Sequence, residues 1–142
     1  MKNLKILPVI ILISIISVAS AQDNEPLALR KIMQDMGDNM QAITDGISLE
    51  DWDQVNKNAL LIADHPQPPF GEKFKILRYI GTDARKFKKY DGITHDAASE
   101  LGLLAKQNKG SEVIQAFAKL QKSCFECHQT FRKSFLQNFY IK

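Results

Sequence analysis

Cysteine is scarce in this chain of 142 residues: there are two, three positions apart near the C-terminus. Any thiol chemistry is therefore confined to one short segment. After residue 21 no apolar run reaches the roughly 20 residues that a membrane-spanning helix needs, so we predict no stable membrane insertion. Internal repeats and low-complexity segments are also missing. The length fits a single domain.

Residues 1–21 do not belong to this domain. Lys2 and Lys5 give a short positive start, residues 6–18 are almost entirely apolar, and residues 19–21 read Ala-Ser-Ala. This order predicts a secretory signal peptide cleaved near Ala21. The apolar run is about 13 residues long, which is too short to span a bilayer; an uncleaved N-terminal anchor is the alternative. We therefore expect an exported protein whose mature domain covers residues 22–142.

Charge of one sign is not in excess. The formal charge is +3, and cleavage removes two of the 19 Lys and Arg residues, leaving 17 against 16 Asp and Glu. A nearly neutral domain lacks the basic footprint of nucleic-acid-binding proteins, so no nucleic-acid partner is predicted.

Hydrophobic residues recur with a helical period through most of the chain. The pattern predicts helices over about 25–46, 49–63, 83–106 and 112–139, with a short linking helix over 71–80. Short connections between long helices predict an all-α, antiparallel four-helix bundle. We expect Trp52 to be a core residue.

Four features mark the expected boundaries of these helices. Gly46 is predicted to end the first helix, Ser48 to cap the second, and Ser111 to cap the last. Asp91-Gly92 is predicted to kink or break the third long helix. Exposed lysines and arginines near the start of that helix predict a solvated face, with a docking patch for an acidic redox partner as the alternative; they are Arg85, Lys86, Lys88 and Lys89.

The two cysteines belong to residues 124–128, which read Cys-Phe-Glu-Cys-His. This is the attachment signature of c-type haem. On a helix, positions i, i+3 and i+4 lie on one face, so both thiols can form thioethers to one porphyrin while His128 offers a ring nitrogen to the iron. We predict one covalently attached haem c, held by Cys124 and Cys127, with His128 as the proximal iron ligand.

The competing interpretation of this motif is a redox-active or disulfide Cys-x-x-Cys. The surrounding sequence lacks the alternation of strands and helices that such a motif accompanies. In an oxidising compartment a free pair this close would also be oxidised unless it were consumed, and thioether formation consumes both thiols. The motif lies on an apolar stripe of the last helix, so the haem is expected to face the interior; this stripe comprises Val113, Phe117, Leu120, Cys124, Cys127, Phe131 and Phe135.

A haem-attachment motif on the last helix of an exported four-helix bundle resembles the class II c-type cytochromes, the cytochrome c′ family. Residues 128–132 (His-Gln-Thr-Phe-Arg) look like the family's His-x-x-aromatic-Arg ending. Residues 31–40 are similar to the first helix of the family's low-spin branch, in which a methionine binds iron, and residues 65–90 look like a recurring segment of exported proteins with this motif. The resemblance implies a periplasmic protein and leaves a homodimer open.

The resemblance points to Met33 as the distal iron ligand, with Met36 as the next candidate. By pattern alone, Met33, Met36 and Met40 are core residues, because methionine fills irregular bundle interiors. His65, before a proline, is expected to face solvent, and His95 lies beside the stripe of its helix; neither is favoured as a ligand.

Arg132 lies one helical turn after His128. We expect it beside the haem, bonded to a propionate or tuning the proximal side; the alternative is a surface arginine paired with a carboxylate. Phe125 and Phe131 are expected to pack on the macrocycle. Phe135, Phe139 and Tyr140 are expected to close the bundle end or form a dimer contact.

The sequence thus predicts a monohaem electron carrier that exchanges electrons with periplasmic partner proteins and is not an enzyme. His/Met ligation saturates the iron and suits electron transfer. The alternatives are a five-coordinate module that binds nitric oxide or carbon monoxide, and an enzyme of the peroxidase or thiol oxidoreductase type. No acid–base constellation in the sequence supports a peroxidase.

Overall fold

The computed structural model describes residues 26–141, and within this range the chain forms helices and no strand. The helices are α1 (Ala28–Leu49), α2 (Trp52–Ala63), α3 (Phe70–Ile80), α4 (Ala84–Lys106) and α5 (Gly110–Phe139), with a 3₁₀ turn at Gly81–Asp83 between α3 and α4. The predicted signal peptide lies outside the described residues. Helices α1, α2, α4 and α5 form the predicted antiparallel bundle, and α3 is the predicted linking helix. None of the described helices combines the length and the apolar character that crossing a membrane requires.

The bundle is held together by a core that we call the main cluster. It is aliphatic, and alanine is its most frequent residue, which lets the helices approach closely. Helix α2 packs on α1 and α4, and α4 packs on α5, whereas α1 and α5 make few contacts with each other. The cluster comprises Ile43, Val55, Ala59, Ile62, Ala63, Ala97, Ala98, Leu101, Ala105, Val113, Ala116 and Leu120.

A second core, the aromatic cluster, closes one end of the bundle. Its buried members are Ile76 of α3 and Phe131 and Phe135 of α5, and further side chains pack around them: Leu27, Leu29, Ile80, Phe87, Tyr90, Cys127 and Phe139. Tyr79 lies edge-on to Phe135 with ring centroids 5.7 Å apart. The expectation that the rings at the end of α5 close the bundle is confirmed for Phe135 and Phe139.

Helix α3 is fixed to the start of α1 as well as to α5. The carboxylate of Glu72 accepts hydrogen bonds from the backbone N–H groups of Ala28 at 2.7 Å and Leu29 at 2.8 Å. Because the first N–H groups of a helix have no partner within it, a carboxylate from α3 substitutes for a local cap. Helix α3 is therefore held to α1 by Glu72 and to α5 by Tyr79.

The corner between α1 and α2 differs from the prediction. Gly46 does not end α1, which continues to Leu49, because the glycine lies where α2 crosses: a Cβ atom at Gly46 would be 2.9 Å from Cγ2 of Val55. The cap of α2 is Asp51, whose side chain accepts from the N–H of Gln54 at 3.0 Å, and Ser48 instead bonds back to the carbonyl of Thr44. Trp52 is partly buried and packs on the main cluster, as predicted.

Two other boundary predictions were wrong. Helix α4 runs through Asp91 and Gly92 without a break, and the Asp91 carboxylate is bonded to His65. Helix α5 begins at Gly110 after Lys109, with no side-chain cap from Ser111. The basic residues near the start of α4 are exposed, as the solvated-face prediction requires.

Candidate functional site

The haem-attachment motif lies where the two cores meet. Cys124 packs against the main cluster, and Cys127, one turn later on α5, packs against the aromatic cluster. Both are partly buried free thiols. One face of α5 thus presents two thiols at the spacing that a covalent haem requires, at the boundary between an aliphatic and an aromatic surface.

Helix α1 also passes from one cluster to the other, and Met33 lies on the stretch between them. Leu29, one turn before it, packs against the aromatic cluster, and Met36 and Met40 pack against the main cluster. Met33 belongs to neither cluster and is 39% exposed. The prediction that methionines on this helix fill the core therefore holds for Met36 and Met40, whereas packing in the described residues does not explain Met33.

His128 follows Cys127 and is exposed, although neighbouring groups still withdraw part of the ring from water. This burial, and the positive charge of Arg132, lower the pKa of His128 below its ordinary value. A ring with a lowered pKa is neutral at physiological pH, which is the form that binds metal. Arg132 is itself exposed and forms no ion pair with the described residues.

The electrostatics of the thiols oppose the thiol-oxidoreductase interpretation. Burial raises the pKa of Cys127 to about 11, with the charges of Cys124 and Asp91 acting in the same direction. Burial also raises the pKa of Cys124. Reactive cysteines need a lowered pKa, because the thiolate is the nucleophile.

A buried pair of hydroxyl groups lies next to the motif, between α4 and α5. Thr94 of α4 and Ser123 of α5 lie 3.0 Å apart, Oγ1 to Oγ, and both are buried. Each hydroxyl also lies within hydrogen-bond distance of a carbonyl of its own helix, Thr94 of Tyr90 at 3.0 Å and Ser123 of Leu120 at 2.7 Å. Since each has a single proton, one hydroxyl donates across to the other, and the second donates to its carbonyl. This contact fixes α4 against α5 directly beside Cys124. The sequence pattern does not single out this contact, because Thr94 and Ser123 are 29 residues apart and lie on different helices.

His65 is not solvent-facing as predicted. Its side chain is 10% exposed, and Nε2 lies 3.2 Å from Oδ1 of Asp91. The hydrogen bond with Asp91 raises the pKa of His65, and the same bond lowers the pKa of Asp91. His65 also lines an open cavity beside Ile32 and Met36 of α1. The pair therefore joins the loop after α2 to Asp91 of α4, whose charge contributes to the raised pKa of Cys127.

The two phenylalanines of the motif region, Phe125 and Phe131, differ in burial. Phe131 is 6% exposed and belongs to the aromatic cluster, whereas Phe125 is 58% exposed. Phe131 packs edge-on to Phe87, with ring centroids 5.3 Å apart. The ring contacts at the motif thus come from Phe131, and Phe125 contributes none to either cluster.

The residues present fit a covalent haem. Two free thiols and a histidine lie in consecutive turns of one helix, apolar surface continues on both sides of them, and the neighbouring helix α1 leaves space because it barely contacts α5. Cys124 and Cys127 would hold the group, and His128 would bind its iron. When bound, the group supplies a one-electron iron couple.

Comparison with known protein families agrees with this fit. The family model described as Cytochrome C′ matches residues 28–132, a range from the start of α1 to Arg132 that includes Met33 and the whole haem-attachment motif. In comparisons with curated proteins and with solved structures, nothing matches the chain. The chain therefore belongs to the cytochrome c′ family, whose members are helical bundles with a covalently bound haem c, transfer electrons or bind ligands without being enzymes, and are typically periplasmic.

Proposed function

We propose that this protein is a periplasmic electron carrier with a six-coordinate, low-spin iron bound by His128 and Met33. The observation that supports the proposal is the position of Met33 on α1, between Leu29, which packs against the aromatic cluster, and Met36, which packs against the main cluster. Cys124 and Cys127 are divided between the same two clusters on α5. A haem attached at Cys124 and Cys127 would occupy this boundary. His128 of α5 and Met33 of α1 would then both bind its iron.

The exposure of Met33 supports a ligand role over a packing role. A methionine that fills a core is buried, and Met36 and Met40 pack on the main cluster. Met33 leaves part of its side chain without neighbours in the described residues. An imidazole and a thioether sulfur together saturate the iron and raise its potential, which suits a carrier that changes charge with little rearrangement.

Arg132 is proposed to act on the haem from the proximal side. It lies one turn beyond His128 and has no carboxylate partner in the described part of the chain. Burial of the ring and, to a smaller extent, the charge of Arg132 lower the pKa of His128. We expect the guanidinium to bond a propionate, which stabilises the group's orientation.

Export of the protein is part of the proposal. Residues 1–21 are proposed to be a signal peptide, because their sequence follows the order of a positive start, an apolar run and a small-residue cleavage site. Mass spectrometry of the purified protein should give an N-terminus near Gln22 and a mass increase equal to one haem. An N-terminus at Met1 would contradict the cleavage.

The ligand assignment is tested by Met33→Ala, with Met36→Ala as the matched control on the same helix. We expect the wild-type protein to give a low-spin absorption spectrum with the near-infrared band of a methionine–iron bond. Met33→Ala should convert the spectrum to high-spin and allow rapid carbon monoxide binding after reduction. Met36→Ala should leave the spectrum low-spin.

Three results would contradict the assignment. If Met33→Ala keeps the wild-type low-spin spectrum, Met33 is not the ligand. If Met33→Ala stays low-spin while Met36→Ala becomes high-spin, Met36 is the sixth ligand. If His65→Ala becomes high-spin instead, the sixth ligand is His65. If the wild-type protein is already high-spin and binds carbon monoxide rapidly, the protein is a gas-binding member of the family.

A further inference from the structure

The outward face of α3 carries a row of exposed apolar side chains. Phe70 is 87% exposed, Phe74 is 60% exposed and Leu77 is 40% exposed. At about 100° per residue, positions 70, 74 and 77 fall within a narrow arc of the helix. We call these three residues the outer face of α3. Apolar side chains grouped in this way mark an interaction surface more often than scattered ones do.

Packing on the bundle does not account for this face, because α3 is bound through its opposite side. Ile76 is buried in the aromatic cluster, Glu72 caps α1, and the Tyr79 hydroxyl donates to the carbonyl of Ser134 at 3.1 Å. The helix is thus held in place with its apolar row directed away from the protein.

Cations flank the outer face on both sides. By the same helical geometry, Lys73 and Arg78 lie directly beside the row, one on each side, and Lys75 lies further round the helix beyond Arg78. All three are exposed, and none forms an ion pair within residues 26–141. An apolar stripe with lysine and arginine on its flanks is the arrangement of a helix that lies in a membrane interface.

The segment that contains α3 carries an excess of positive charge, which favours a negative surface as its partner. Residues 70–90 contain seven Lys and Arg against two Asp and Glu, whereas residues 26–69 contain three against seven. Such an asymmetry steers a protein so that its positive side meets an anionic partner first. In this chain the positive side is the segment that contains α3.

We propose that the outer face of α3 is a reversible docking surface for the anionic surface of a phospholipid bilayer. Phe70, Phe74 and Leu77 enter the headgroup region, and Lys73 and Arg78 meet the lipid phosphates. The helix lies on the bilayer and does not cross it. The proposal goes beyond electron transfer and does not depend on which residue is the sixth iron ligand.

A second copy of the chain fits this surface less well. In a two-fold dimer the same patch meets itself, so the flanking cations of both copies would face each other. The repulsion between like charges opposes such an interface. An acidic protein would satisfy the cations, and the experiment separates it from a lipid surface.

The test measures sedimentation of the holoprotein with vesicles of phosphatidylglycerol and phosphatidylcholine, compared with phosphatidylcholine alone. We expect binding to the anionic vesicles at low ionic strength and its loss in high salt. The double variant Phe70→Ala/Phe74→Ala should weaken binding by about tenfold or more because apolar burial is lost. Lys73→Gln/Arg78→Gln should also weaken it by about tenfold, since each cation near the surface adds attraction.

Matched controls remove two exposed apolar side chains or two exposed cations from helices other than α3. Leu103→Ala/Ile114→Ala removes two exposed apolar side chains from α4 and α5, and Lys57→Gln/Lys106→Gln removes two exposed cations. Both controls should bind as the wild type does. All variants must have the same N-terminus by mass spectrometry, so that a retained apolar leader does not contribute to the differences.

Several outcomes would overturn the proposal. These are no binding to anionic vesicles, equal binding by the Phe70→Ala/Phe74→Ala variant, or wild-type self-association that this variant abolishes. Binding to poly-L-glutamate without binding to vesicles would indicate an acidic protein partner instead. The absorption spectrum of each variant, recorded in parallel, reports on the proposed haem ligation independently of the vesicle result.

Discussion

The main cluster and the aromatic cluster differ in both their side chains and their burial. Ile43, Ile62 and Leu101 of the main cluster have no exposed surface, and small alanines fill the spaces between such residues. The aromatic cluster is built from rings, and its edge includes Tyr79, which is 39% exposed. Alanines let helices approach closely, whereas rings fill the wider space between α5, α3 and the start of α1. The first core therefore positions the bundle helices, and the second closes one end.

This difference has a consequence for the haem-attachment motif, which touches both cores. Cys124 is positioned by the aliphatic core and Cys127 by the aromatic one. Because the free energy of unfolding depends on how completely a side chain is buried, the two cores should respond unequally to mutation. The attachment site thus joins an aliphatic region to an aromatic one.

The largest effect is expected in the main cluster. Leu101→Ala removes a fully buried side chain far from the motif in sequence and should lower the free energy of unfolding by about 3 kcal/mol. Urea unfolding of the holoprotein, followed by circular dichroism, measures the change. Leu103→Ala, at a site that is 60% exposed, should change stability by less than about 0.5 kcal/mol. Equal effects of the two variants would show that the main cluster does not dominate stability.

A smaller effect is expected in the aromatic cluster. Phe135→Leu keeps an apolar side chain but removes ring contacts with Tyr79, Phe87 and Phe139, which should cost about 1 kcal/mol. The same unfolding experiment measures it, with Phe125→Leu as the control because Phe125 is 58% exposed. A cost as large as that of Leu101→Ala would remove the proposed difference between the cores.

The existence of the helices was predictable from sequence, whereas their boundaries were not. The stripe from Val113 to Phe135 depends only on the period of α5, and it is on the inward side of the helix as predicted. Gly46 was wrongly expected to end α1, because a glycine ends a helix only where no neighbouring helix needs its small size. Here Val55 of α2 occupies the space beside it, and the sequence does not contain that information.

The same distinction applies to the candidate site. The thiols and His128 form a local pattern whose spacing is chemically specific, so the sequence was sufficient to propose them. His65 was misplaced because its partner, Asp91, is 26 residues away and lies on another helix. The position of Met33 between the two clusters also depends on the packing of α1 against the rest of the bundle. The spacing of the motif can be seen in the sequence, whereas the tertiary position of these residues depends on packing between helices.

The smallest effect concerns the contact between His65 and Asp91, which joins the loop after α2 to α4 near the boundary of the two cores. Asp91 raises the pKa of His65, so this residue contributes stability that is complete below its ordinary pKa and is lost as the pH rises through the raised value. His65 lowers the pKa of Asp91, so the carboxylate contributes stability that is present above its ordinary pKa and is lost as the pH falls through the lowered value. The contribution is therefore largest at weakly acidic pH.

Asp91→Asn should consequently destabilise the protein most near pH 5 to 6, by about 0.5 to 1 kcal/mol because the carboxylate is partly exposed, and less at pH 8. Urea unfolding at the two pH values measures the difference. The exposed neighbours His95 and Asp96 provide the control: they lie 3.3 Å apart with side chains 57% and 84% exposed, so Asp96→Asn should have a smaller effect with little pH dependence. If Asp91→Asn destabilises the protein equally at both pH values, charge on His65 does not contribute, and the contact stabilises the boundary through packing and a neutral hydrogen bond alone.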